Sequence, residues 1–98
     1  MFNIKFIEKE NKAIACDEDR EIGECEFIEY GNTWNIIHTG VDDKYQGQGI
    51  AKKLVECVVK NAEIQNKKII ADCSYAKRVI EKMKWIHIKE GDKYVKKT

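Results

Sequence analysis

The sequence predicts an α+β domain on one mixed sheet: an antiparallel meander of four strands, a helix, a fifth strand parallel to the fourth, a second helix and a terminal strand pair. Three observations carry this. Up to Thr39 the chain alternates apolar and polar side chains in short runs split by polar turns, the period-two signature of half-buried strands. From about Gly49 to Gln65 the spacing changes, and Ala51, Leu54, Val55, Val58 and Ala62 recur at three and four, the stripe of a helix buried on one side. A short apolar run, Ile69-Ile70-Ala71, then follows, as in a buried parallel strand. Short turns keep the first four strands antiparallel. The helix between the fourth and fifth imposes a right-handed crossover and sets that pair parallel.

Each element has its own warrant. Residues 2–8 set Phe2, Ile4 and Phe6 against Asn3 and Lys5, and Lys9-Glu10-Asn11 turns the chain. Lys12 to Asp17 is a second short strand, closed by Asp17-Glu18-Asp19-Arg20. Glu21 to Tyr30 is a third strand whose Glu24, Glu26, Ile28 and Tyr30 share a face, so one side of it is wet. Gly31-Asn32 is a two-residue hairpin signal. In the fourth strand, Thr33 to Thr39, strict alternation puts Trp34, Ile36 and His38 on one side and Asn35, Ile37 and Thr39 on the other. Asn66 suits a left-handed helix end. Lys68 to Asp72 forms the fifth strand, and Ser74 is placed to cap a helix from Tyr75 to Lys84 with Ala76, Val79, Ile80 and Met83 inward. Trp85, Ile86 and Ile88, a turn at Glu90-Gly91-Asp92, and Tyr94-Val95 make the terminal pair.

Composition narrows the function classes. The chain has 98 residues, enough for one domain over 1–98 with a limited core. A net charge of +1 with interspersed signs argues against a nucleic-acid partner. The chain lacks an apolar run of about 18 residues, which argues against a membrane partner. The cysteines at 16, 25, 57 and 73 form no Cys-x-x-Cys pair, and His38 and His87 show no ligand spacing, so no metal is expected. Without an export signal at Met1 to Phe6, the expectation is a cytoplasmic monomer with reduced thiols.

The chemistry concentrates between the fourth strand and the first helix. Gln46-Gly47-Gln48-Gly49-Ile50-Ala51-Lys52 is a strand–glycine-loop–helix junction, the arrangement that presents free N–H groups and a helix dipole to an anion. It is not a Walker loop, since no hydroxyl residue follows the lysine. It is not a dinucleotide fingerprint, since Lys52 stands where a third glycine belongs.

The loop resembles motif A of the GNAT N-acetyltransferases, Gln/Arg-x-x-Gly-x-Gly/Ala, with Gln46, Gly49 and Ala51 in register. His38-Thr39-Gly40-Val41 and Cys73-Ser74-Tyr75 resemble two further motifs of the small Yjdj-type members, and the resemblance spans roughly residues 34 to 84. It implies a GNAT-like fold that uses acetyl-CoA as co-substrate. The diphosphate would lie on Gln46, Gly47, Gln48, Gly49, Ile50 and Ala51, with Lys52 and Lys77 approaching the phosphates, and the pantetheine arm on Thr39, Gly40 and Val41. Gly40 departs from the pattern, because Yjdj-type chains often carry a glutamate there. Only a turn fits between the first two strands, where larger members carry helices, so the acceptor side should be open.

Two residues are candidates for the acetyl-transfer chemistry. Cys73 lies at a strand-to-helix junction, where a helix N-terminus favours thiolate. It fits three roles: acyl carrier, assistant beside the thioester, or small residue filling the gap between splayed strands. His38 suits a general base or a structural hydrogen bond. The leading expectation is an acetyl-CoA-dependent N-acetyltransferase acting on a small amine or a lysine side chain. The alternatives are a coenzyme A-binding protein with little turnover and a non-enzymatic interaction module.

Overall fold

A computed structural model describes residues 2–83, 85–88 and 93–96. The element order is β1 (Asn3–Ile7), β2 (Lys12–Asp17), β3 (Arg20–Tyr30), β4 (Thr33–Val41), α1 (Ile50–Ile64), β5 (Lys68–Ala71), α2 (Ser74–Glu81), β6 (Trp85–Ile88) and β7 (Lys93–Lys96). Short 3-10 turns at Glu8–Glu10 and Asp43–Tyr45 precede β2 and α1. One sheet runs β1-β2-β3-β4-β5-β7-β6. Its first four strands are antiparallel, β4 and β5 are parallel, and β7 lies antiparallel between β5 and β6. The α+β architecture with its meander, crossover helix and terminal pair is therefore as expected. The expected turn at Glu90-Gly91-Asp92 lies outside the described residues. No helix among the described residues is long and apolar enough to cross a membrane.

The core lies between the helices and one face of the sheet. Ala13, Ala15, Cys25, Phe27, Trp34, Ile36 and Ile69 come from the strands. Leu54, Val55, Val58, Val59, Ala62, Ala76 and Ile80 come from α1 and α2. Phe6, Phe27 and Trp34 form a trio of near-parallel rings, Phe27 and Trp34 4.2 Å apart and Phe6 6.0 and 5.9 Å from them. Small residues let α1 sit close. A Cβ on Gly23 would approach Leu54 Cδ1 to 3.2 Å and the Gly40 carbonyl to 3.0 Å. The α1 stripe is wider than its expected five residues, since Ile50 and Val59 are buried too, while Ala51 is half-buried. Asn66 takes the expected left-handed conformation.

Two local expectations are corrected. Ser74 is the first helical residue of α2; the capping position belongs to Cys73, whose side chain makes no capping bond. The strict alternation of β4 also fails. Glu26 pairs with His38 and Phe27 with Ile36, so Ile37 has no partner on β3. This bulge reverses the two faces beyond it. Thr39 joins Trp34 and Ile36 on the helix side, opposite Cys25, and His38 turns to the uncovered face.

Candidate active site

The bulge coincides with the point where β4 and β5 part. Their pairing covers Thr33–Ile36 against Lys68–Ala71 and stops there. The Ile36 carbonyl accepts from the N–H of both Asp72 (3.0 Å) and Cys73 (3.1 Å), and the two strands then diverge. From His38 to Val41, β4 keeps its β3 partners but, among the described residues, has no strand partner on the β5 side. A strand edge left open inside a sheet offers unpaired backbone groups to whatever enters the gap.

The glycine loop closes one end of this gap. Gly47 (φ 82°) and Gly49 (φ 77°) adopt the left-handed backbone that glycine alone takes without strain. Gly49 is the N-cap of α1 and supplies no side chain, so no side-chain oxygen covers the first amides of the helix. Gly47, Gly49, Ile50 and Ala51 line a cleft of about 230 Å³ together with Val41, Tyr45, Gln46 and Tyr75. Gln46 does not aim its amide into the cleft as a ligand: Nε2 donates to the Val41 carbonyl at 2.9 Å and ties the loop to the end of β4. Gln48 is exposed.

The loop is also bolted to the β2–β3 turn. The Tyr45 hydroxyl donates to Asp17 at 2.6 Å, Arg20 pairs with Asp42 at 2.8 Å, and the Asp42 N–H donates to the Ile22 carbonyl at 2.7 Å. Asp42 also accepts from the Lys44 N–H. These bonds hold both carboxyls below the usual carboxylate range: Asp17 chiefly through the Tyr45 hydroxyl, Asp42 chiefly through the Lys44 N–H and then Arg20. The Asp17 carboxylate in turn raises the Tyr45 phenol.

Beside the loop, a groove of about 670 Å³ runs between α1 and α2. Val59, Val79 and Met83 give it an apolar lining, Lys52, Lys60, Arg78 and Lys82 give it cations, and Glu56 and Glu63 give it acids. Tyr75 lines both the groove and the loop cleft. Lys52, which the resemblance expects near the phosphates, lines this groove and not the loop cleft. Lys77 is not among the residues of either cavity; it is half-buried on α2, its N–H bonded to the Cys73 carbonyl. Arg78 and Lys82 were outside the expected set, although their i, i+4 spacing marks one face of α2.

The two residues expected to carry chemistry lie on opposite faces. On the helix side, the Cys73 thiol donates to Thr39 Oγ1 at 3.6 Å and the Thr39 hydroxyl donates to Cys25 Sγ at 3.6 Å. Burial pushes the Cys25 thiol up to about 12, so it stays protonated. On the uncovered face, His38 Nε2 lies 3.7 Å from Glu24, which is also 3.7 Å from Lys12. Glu24, Glu26 and His38 bring their ligand-type atoms within 4.8 Å of one another. Gly40 makes room for this imidazole: a Cβ there would stand 3.0 Å from His38 Nε2. Sequence alternation hides this cluster, because the bulge creates it.

A sheet splayed between β4 and β5, with a glycine-flanked helix N-terminus at the mouth, defines the class of GNAT acetyltransferases. The sequence agrees: the family described as GCN5-related N-acetyl-transferase matches residues 11–87. The chain belongs to that family. No curated protein matches it in sequence. Among solved structures it is similar to a GCN5-like protein from Staphylococcus aureus, at 44% identity and TM-score 0.63 over 82% of this chain and 78% of that one. It is also similar to a chain of the NatC complex bound to Gag peptide and CoA, at 26% identity and TM-score 0.61 over 89% of this chain and 71% of that one. A third similar structure is a GNAT family N-acetyltransferase from Escherichia coli in complex with CoA, at 25% identity and TM-score 0.56 over 61% of this chain and 38% of that one.

Proposed function

We propose that this protein transfers the acetyl group of acetyl-CoA to an amine, on a small molecule or a lysine side chain. The observation that carries the reading is the uncapped, glycine-flanked start of α1 opening onto the unpaired edge of β4. The first amides of α1 and the helix dipole suit a diphosphate. The edge from Thr39 to Val41 suits the amides of a pantetheine arm. The groove beside Tyr75, where four cations outnumber the two acids Glu56 and Glu63, suits the phosphorylated adenosine end, with Lys52, Arg78 and Lys82 as its cations. CoA in two of the similar structures supports the same ligand.

Acetyl-CoA supplies the activated acyl group, and the protein's part is to orient it and manage protons. The acceptor amine enters from the uncovered face, where His38 takes its proton and Glu24 and Glu26 attract its positive charge. Cys73 holds its S–H toward Thr39 and lines the opposite side of the gap. Titration with acetyl-CoA by calorimetry, followed by release of free CoA against a panel of amines, tests this. Absence of binding heat refutes the coenzyme site. Binding without release by any amine favours a coenzyme-binding protein over an enzyme.

A further inference from the structure

We infer that Asn35 and Asp72 form the latch that fixes where β4 and β5 part, and so positions Cys73 and the unpaired edge of β4; the inference rests on the acetyl-CoA reading above. Asn35 stands mid-strand, on the sheet face the helices leave uncovered, yet it is only 6% exposed. A buried amide is costly unless both its ends are bonded. Both ends of Asn35 go to one residue. Nδ2 donates to Asp72 Oδ2 at 2.9 Å, and Oδ1 accepts the Asp72 N–H at 3.0 Å.

That N–H is shared with the Ile36 carbonyl, the last strand acceptor that β5 uses. Asn35 thus adds from its side chain a second acceptor to the one the β4 backbone already offers, and grips Asp72 where β5 leaves the sheet. The next residue is Cys73, whose N–H is held by Ile36 and whose thiol reaches Thr39 on the other face. The two faces of the junction are therefore pinned separately, Asp72 by Asn35 and Cys73 by Thr39. Only a side chain with a donor and an acceptor side by side makes both bonds. Leucine fills the volume but satisfies neither atom. Aspartate sets two carboxylates together.

This reciprocity gives the test. Asn35→Asp removes the donor and should weaken acetyl-CoA about tenfold in calorimetry. It should also change the rate at which iodoacetamide labels Cys73, read by peptide mass spectrometry, about threefold or more. The double variant Asn35→Asp/Asp72→Asn exchanges the roles: the carboxylate at position 35 accepts both the side-chain and the backbone N–H of position 72. It should recover both values to near wild type, which a merely destabilised fold would not do. Asp72→Ala, on an exposed side chain, removes one bond only and should shift both readouts the same way by a smaller factor. Wild-type affinity and labelling in Asn35→Asp or Asp72→Ala overturn the latch, as does a folded double variant that fails to recover. If the wild type binds no acetyl-CoA, the coenzyme reading falls, while the Cys73 labelling still decides the latch.

Discussion

Gly49 shows how a residue with ample room can still resist substitution. A Cβ there meets nothing within 4 Å, so the objection to a side chain is the backbone, at φ 77°. A β-branched residue held in that conformation costs about 1–2 kcal/mol. Gly49→Val should therefore melt several degrees lower and bind acetyl-CoA at least about tenfold more weakly, because the strained loop turns its amides away. Unchanged affinity in calorimetry would remove the loop from the site. Cys73 makes a second residue-scale prediction. Its S–H donates to Thr39, and direct attack by the amine needs no thiol carrier. Incubation with acetyl-CoA should leave no acetyl mass on Cys73, and Cys73→Ala should be slowed but active. An adduct that discharges to an amine at the steady-state rate would assign it the carrier role.

Between elements, the ties from the glycine loop to the β2–β3 turn make a pH prediction. Asp17 and Asp42 have folded pKa values below their unfolded ones. Their stabilisation is present above the unfolded value of about 4 and is lost as pH falls through the lowered folded values. Melting temperature should drop as the solution is acidified below that point. Asp42→Asn should melt lower than wild type at neutral pH and fall less steeply in acid; parallel curves would exclude the tie. Elements themselves were legible in the sequence, because polar turns punctuate the strands and the α1 stripe has an unambiguous spacing. The motif positions were legible for the same reason, since Gly47 and Gly49 declare their backbone. The faces beyond Ile36 were not. Trp34 to His38 alternates like any regular strand, and a bulge depends on register with β3, which is a relation between segments and not a property of either. For the same reason the bonds from Asn35 to Asp72, 37 residues apart, have no local signal.

For the whole molecule, the coenzyme should act as a fold stabiliser. A ligand bound only by the native state adds roughly 2.7 kcal/mol at about 100 times its dissociation constant. For a chain of 98 residues that is a rise of about ten degrees or more, and no shift at saturation would favour the non-enzymatic reading. The β4–β5 pairing has a further consequence, in the time domain. The meander β1 to β4 is joined by short turns, so its contacts close small loops. The four pairs between Thr33–Ile36 and Lys68–Ala71 cannot form until the intervening loop and α1 are folded back. Loop closure of that length is slow. The meander should then nucleate, and the ligand gap should assemble last. Ala13→Gly, in the meander, should chiefly slow refolding, whereas Ile69→Val, in β5, should chiefly hasten unfolding. The chain would thus acquire its capacity to hold acetyl-CoA only at the end of folding.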